Sequence, residues 1–285
     1  MERNSYSPDF VQLIVTRRCN LACSYCNEFD NSSKGIDKEV LKQRIDQIFR
    51  LETENISFLG GEPLLHKDIA ELVAYAREKF KRVMITTNGF PLRIGLIKLL
   101  NAAELSDIEV SIDGMEPDSD TQKVLSLIRK KLSLLKDLAK FDVNVNVTYG
   151  VKPFKEVEAM VREITDLGFS TTFSLLHNEH GQMALKNGSL EEYQRLLALR
   201  HAPVWGQIPL EMPLLRDGRD PFNCRAGSKY LYVDEDGYVN WCSQTRNLFR
   251  KQLEEYTVSD LEEQYHTPKD CNEGCTLNCV RAVSK

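Results

Sequence analysis

Residues 11–26 read "VQLIVTRRCNLACSYC", a run of β-branched and apolar residues that ends in three thiols within eight positions. The run predicts a strand, because Val, Ile and Thr suit a pleated, half-buried surface. The same texture returns in "NISFLGG" (55–61), "RVMITTNG" (82–89), "DIEVSIDG" (107–114), "NVNVTYGV" (144–151) and "STTFSLLH" (170–177). Between these runs lie segments such as "DKEVLKQRIDQIF" (37–49), "DIAELVAYAREKF" (68–80) and "TQKVLSLIRKKLSLLKDLAKF" (121–141), whose apolar residues recur at helical spacings of three and four. Strand and helix in strict alternation imply an α/β fold with a parallel sheet, either doubly wound or an incomplete (β/α) barrel. The ends of the strands lean toward the barrel. Cysteines follow the first, "GGEP" the second, "TTNG" the third and "SIDG" the fourth, all at the C-terminal edge where parallel sheets bind ligands.

The barrel pattern covers residues 8–202. Residues 202–224, "APVWGQIPLEMPLLRDGRDPFNC", then carry four prolines and no clear helix, so 203–222 reads as a linker. A smaller module is expected over 223–285. In it "YLYVDEDGYVNWC" (230–242) is a β-hairpin turning at Asp236 and Gly237, and "TVSDLEEQYH" (257–266) is a short helix opened by a capping box from Ser259 to Glu262.

At 285 residues the chain is long enough to bury a core without disulfides. Its net charge of −5, with no lysine or arginine tract, excludes a nucleic-acid backbone or an anionic membrane surface as a leading partner. No stretch approaches the roughly 18 apolar residues of a spanning helix, and "MERNSYSPDF" has no signal-peptide core. A soluble cytoplasmic protein is expected. In that reducing compartment eight cysteines point to metal or redox groups.

Cys19, Cys23 and Cys26 have the spacing C-x3-C-x2-C without a fourth thiol nearby, and the closest histidine in sequence is His66. Structural zinc wants four closed ligands. Three thiolates on a four-iron cluster leave one iron open to a substrate or cofactor. The plainer alternative is a chance group of buried, apolar cysteines.

This loop, placed after the first strand and with Tyr25 before its last cysteine, resembles that of the radical S-adenosylmethionine (SAM) enzymes. The resemblance implies a partial (β/α)6 TIM-like barrel and a 4Fe-4S cluster whose open iron chelates SAM. It further implies reductive cleavage of SAM to a 5′-deoxyadenosyl radical that abstracts hydrogen from an unactivated carbon. Gly60, Gly61, Glu62 and Pro63 resemble the stretch that receives the SAM ammonium, with Glu62 as anionic acceptor. Asn88, Ser111 and Asp113 match positions that contact the ribose and methionine ends of SAM. Each motif alone is an ordinary turn; together they follow the family's strand order. Thr148, Ser174 and the loop "LLHNEHGQ" (175–182) fall in the region that holds adenine. His177, Glu179 and His180 are candidate proton donors or substrate contacts at the barrel mouth, against the plainer reading of a solvated polar loop.

Cys224, Cys242, Cys271, Cys275 and Cys279 form a second set. With Gly237, the first two resemble the opening of the twitch or SPASM extension, which binds auxiliary four-iron clusters. The ending, C-x3-C-x3-C, departs from the full pattern. It leaves ligands for one auxiliary cluster, from Cys224, Cys242 and two of the last three, with one thiol over. Zinc is the alternative for this module. An external reductant of the flavodoxin or ferredoxin type is implied. The first strand starts near residue 11, so no preceding peptide-recognition domain is expected, and a small molecule, sugar or lipid precursor is favoured as substrate. The alternatives are a maturase of ribosomal peptides and a noncatalytic iron-sulfur electron carrier; the latter gives the GGEP stretch, Asn88 and Asp113 no role.

Overall fold

A computed structural model describes residues 3–30, 32–201, 210, 212–246 and 248–284. All six expected runs are strands: β1 (Phe10–Thr16), β2 (Asn55–Gly60), β3 (Arg82–Thr87), β4 (Asp107–Ser111), β5 (Asp142–Tyr149) and β6 (Ser170–Leu175). They pair in parallel and in chain order. Each is followed by a helix: α1 (Lys38–Arg50), α2 (Ile69–Arg77), α3 (Ile94–Ala102), α4 (Leu125–Leu138), α5 (Phe154–Asp166) and α6 (Leu190–Leu199). Asp37 caps α1 by accepting the Glu39 N–H, one of the amides that a helix start leaves unpaired.

Alternation along the strands sorts two faces. Val11, Leu13, Ile56, Phe58, Val83, Ile85, Ile108, Val110, Val145 and Val147 are fully buried and pack with Leu41, Ile45 and Ile48 of α1 and Leu132 of α4 in the main apolar core. Burying each such side chain contributes about 1.5–3 kcal/mol. The opposite face carries Gln12, Ser57, Thr86, Glu109, Asn146, Thr172 and Ser174, which line one cavity drawn from all six strands. The sheet therefore wraps round that cavity as a partial barrel. Its lumen mixes these polar side chains with Phe10, Leu59, Met84 and Leu277, where a lumen packed with Val, Ile and Leu would have been filled by its own side chains.

Beyond α6 the structure departs from the expected linker. Residues 203–209 and 211 of it lie outside the described residues, and Met212–Asp217 form a helix, α7, with Leu214 buried. Pro213 fits there because the first helical turn has no partner for its missing N–H. The hairpin forms as expected from β7 (Tyr230–Val233) and β8 (Tyr238–Asn240), and β9 (Arg250–Gln252) adds a third strand. Gly237 takes φ +87° at the turn. Asp234 braces it: Oδ1 accepts the N–H groups of Asp236 and Tyr238 at 3.0 and 2.9 Å, and Oδ2 accepts Asn240 Nδ2 at 2.9 Å. The hairpin does not stand apart from the barrel. β7 pairs in parallel with β1, from Phe10↔Tyr230 to Leu13↔Val233, giving a nine-stranded sheet in the order β6-β5-β4-β3-β2-β1-β7-β8-β9.

The helix expected at 257–266 is α8 (Val258–His266), but its capping box is Thr257 with Asp260, not Ser259 with Glu262. Thr257 is extended (φ −123°, ψ 173°) and the helix begins at the next residue, so the reciprocal bonds form two positions earlier. A last short helix, α9 (Asn278–Ala282), follows. Among the described residues no helix is long and apolar enough to cross a membrane.

Candidate active site

At the end of β1 the chain turns into the cysteine loop, and the end of β2 presses against it. Gly61 N–H donates to Thr16 O and Glu62 N–H to Arg18 O, both at 2.9 Å. A Cβ on Gly60 would lie 2.0 Å from Thr16 O, and one on Gly61 2.4 Å from Arg17 O. Only glycine allows this approach. The two glycines thus seat the cysteine loop as well as leaving backbone open beside it.

A cavity of about 210 Å³ opens at this edge, lined by Cys19, Cys23, Cys26, Gly60, Gly61, Asn88, Ser111 and Lys123 among others. Seven residues singled out in the sequence meet here. No fourth cysteine and no histidine is among the described residues that line it. His66 is buried elsewhere, with Nε2 2.7 Å from Ile36 O. The donor set suits a three-thiolate cluster. Cys19 Sγ accepts the Leu21 N–H at 3.4 Å and Asn88 Nδ2 at 3.7 Å, and Cys26 Sγ accepts the Glu28 N–H at 3.5 Å, the kind of hydrogen bonding that tunes sulfur ligands. Burial pushes the Cys19 and Cys26 thiols up, so ligation must displace their protons. Among the described residues no three His, Cys, Asp or Glu side chains stand close enough to hold a single metal ion.

Glu62 does not line this cavity. It is fully buried, and its carboxylate takes the Thr87 hydroxyl and Asn88 N–H at 2.7 Å and the Leu64 N–H at 2.9 Å. Pro63 starts the single 3₁₀ turn (Pro63–Leu65) that Glu62 caps. The pair braces β2 to the end of β3 and so positions Asn88, whose Nδ2 also reaches Asn20 Oδ1 at 3.0 Å. Asp113 is likewise a buried hub. Oδ2 accepts the Tyr25 hydroxyl at 2.5 Å and pairs with Lys123 Nζ at 2.9 Å, while Oδ1 accepts the Thr148 N–H at 2.8 Å. Burial opposes the charge on Lys123, but Asp113, with Tyr25 and Cys23 beside it, together outweigh burial and hold the ammonium protonated. Thr121 completes the network, 3.1 Å from the Tyr25 hydroxyl and 3.4 Å from Cys23 Sγ. Tyr25 thereby ties the cysteine loop to β4 and β5. Lys123 and Thr121 were not singled out in the sequence, where "DSDTQKV" carries no pattern that marks them.

A larger cavity of about 510 Å³ fills the barrel lumen and shares Leu59 and Thr86 with the first. Ser174 and His177 line it; Thr148 lines neither cavity. Glu179 and His180 are placed in solvent, with side chains 79% and 73% exposed. Of the three candidate proton donors only His177 meets the lumen. Its Nδ1–H donates to Asn178 O at 2.9 Å, which leaves Nε2 as the acceptor.

The C-terminal thiols also converge. Cys224, Cys242, Cys275 and Cys279 each feel the field of another of the five, Cys271 acts on Cys224 and Cys242, and burial is the first cause that raises them all, Cys224 to about 11 and Cys275 and Cys279 to about 12. Cys224, Cys242 and Cys279 pack in a second apolar cluster with Ile14, Tyr230 and Val280. Cys279 alone of the five also lines the lumen.

A family model described as "Radical SAM superfamily" matches residues 13–180. A GTP 3′,8-cyclase of Helicobacter pylori (strain ATCC 700392 / 26695) is 35% identical over 252 residues, which cover 81% of this chain and 70% of that one. An Fe-coproporphyrin III synthase of Methanosarcina barkeri is 40% identical over 124 residues; the match covers 40% of this chain, which spans only 30% of that protein's length. Among solved structures, Streptococcus suis SuiB bound to precursor peptide SuiA superposes with a TM-score of 0.72 at 14% identity, over 92% of this chain and 66% of that one. At that identity the likeness is one of fold.

Proposed function

The chain belongs to the radical SAM superfamily, and from that premise we propose that it abstracts hydrogen from an unactivated carbon of a small molecule, sugar or lipid precursor. The observation that carries this reading is the pairing of cavities: the thiol-lined one and the lumenal one share Leu59 and Thr86, so a cofactor in the first borders a substrate in the second. Cys19, Cys23 and Cys26 would hold the 4Fe-4S cluster, and the Gly60–Gly61 backbone, Asn88 and Ser111 would hold SAM. Once bound, that pair supplies the 5′-deoxyadenosyl radical by one-electron cleavage of SAM. The protein's part is to fix the loop, through Glu62, Tyr25 and Asp113, and to shield the lumen.

Cys224, Cys242 and two of Cys271, Cys275 and Cys279 would hold one auxiliary 4Fe-4S cluster. Their mutual burial supports one shared group, and an electron acceptor there suits a net oxidation of substrate. A flavodoxin or ferredoxin type reductant would supply the first electron. A cyclisation is the second reading, favoured by the name of the Helicobacter pylori relative, and product analysis separates the two.

Anaerobic reconstitution with iron and sulfide, metal counting, and assay of 5′-deoxyadenosine test the proposal. About eight irons per chain with SAM cleavage supports it; about four irons and one zinc removes the auxiliary cluster. Absence of cleavage from a fully loaded chain overturns the enzymatic reading. Cys23→Ala is expected to abolish cleavage, whereas Cys242→Ala retains part of it and loses product.

A further inference from the structure

Resting on the radical SAM reading, we infer that the lumenal cavity takes a small substrate that presents an amine to Glu109 and carries no phosphate. The inference starts from the charge of the lining. Among its described residues there is no lysine and no arginine; Glu109, His177 and Cys279 are its titratable groups. A phosphate placed in the lumen would meet a carboxyl and no counter-ion, and desolvating an unpaired anion is strongly unfavourable. The relative named as a GTP 3′,8-cyclase acts, by its name, on a nucleoside triphosphate. Among its described residues this lumen lacks the cations such a ligand requires.

The second part of the inference is what Glu109 offers. It lies in β4 between Thr86 of β3 and Asn144 of β5, with the surface it retains turned to the cavity. Oε2 accepts Asn144 Nδ2 at 3.2 Å and the Thr172 hydroxyl at 3.4 Å. That hydroxyl is shared with Asn146 Oδ1 at 3.2 Å, so both contacts are long and one is divided. Oε1 accepts no hydrogen bond among the described residues. A carboxyl held on one oxygen and open on the other is an acceptor for an incoming N–H, and an ammonium there makes a charge-assisted bond. Burial pushes this carboxyl up to about 7, and Asp107 below it adds in the same sense; a cation bound beside it would lower it again. The rest of the lining suits the neutral part of such a ligand. Asn146 Nδ2 has no acceptor among the described residues, and its Oδ1 is already taken by Thr172 and Ser174. His177 Nε2 is free to accept. Asn146 as donor and Glu109 and His177 as acceptors, beside an apolar wall of Leu59, Met84 and Leu277, suit an amino alcohol or amino sugar better than a nucleotide.

Ligand-observed NMR titrations on the reconstituted full chain with SAM bound test this with matched probes: glucosamine, glucose and glucosamine 6-phosphate; ethanolamine, ethylene glycol and phosphoethanolamine; and GTP. Each amine is expected to bind at least tenfold tighter than its hydroxyl counterpart, and the phosphorylated probes and GTP to bind no better than the neutral ones. Glu109→Gln is expected to erase the amine preference. Glu109→Asp, with the charge kept, is expected to retain a reduced preference, and thermal melts establish that both variants fold. Tight binding of GTP, equal binding of amines and alcohols, no binding of any amine, or a preference that survives Glu109→Gln each overturns the inference. SAM binding to the wild-type chain, measured in the same samples, separates the cases. Its loss sinks the radical SAM reading, while SAM binding without amine preference sinks only the assignment to Glu109.

Discussion

Gly60 sits where two backbones nearly touch, and its replacement is the most direct test of how the cysteine loop is seated. In Gly60→Ala the new methyl would be 2.0 Å from Thr16 O, a clash that no flexible side chain can absorb. We expect a loss of about 3 kcal/mol, at the upper end for overpacking, in chemical denaturation, together with iron retention well below wild type. A variant with unchanged stability would show that the loop shifts freely. The thiols were legible because three cysteines at fixed spacing follow a strand, and the glycines because close backbone approach has its own residue type. Other roles were not. Tyr25 meets Asp113 and Thr121 across 88 and 96 residues, and nothing local in the chain announces such a meeting. Glu62 was legible as an anion, but not as one whose oxygens are already occupied by Thr87, Asn88 and Leu64.

At the scale of elements, the hairpin hangs on Asp234, which is buried, accepts two backbone N–H groups and the Asn240 amide, and pairs with Arg250 at 3.2 Å. Asp234→Ala would strand these donors, and leaving buried donors unpaired costs about 1–3 kcal/mol. Urea denaturation should register that loss, and hydrogen exchange should quicken in β7 and β8 before β6; unchanged protection in the hairpin would refute the brace. Strand identity was readable because alternation of period two is local. The pairing of β1 with β7 was not, since it joins residues some 220 positions apart in sequence and depends on how the second module packs. The capping box shows the limit at a finer grain. Thr257 and Ser259 both precede an acidic residue by three, and only the backbone decides which one stands outside the helix.

For the molecule as a whole, burial pushes two carboxyls, Glu62 and Glu109, up to about 7 from an ordinary 4.5, and Asp107 up to about 6 from 3.8. Between the ordinary and the raised values the folded chain therefore binds more protons than the unfolded one, so stability falls as pH rises through that window. The denaturation midpoint of the metal-free chain should drop between about pH 4.5 and 7, and Glu109→Gln should flatten part of the slope. A midpoint that climbs across the window would contradict the burial of these acids. The sheet order carries a different consequence. β1 is an interior strand with β2 on one side and β7 on the other, so the boundary between barrel and cysteine-rich module is no place to divide the chain. Cut before Tyr230, the molecule would expose the N–H and C=O groups that β1 now shares with β7 along Phe10 to Leu13, an open edge ready to accept a strand from another copy. The hairpin is thus also a seal against self-association.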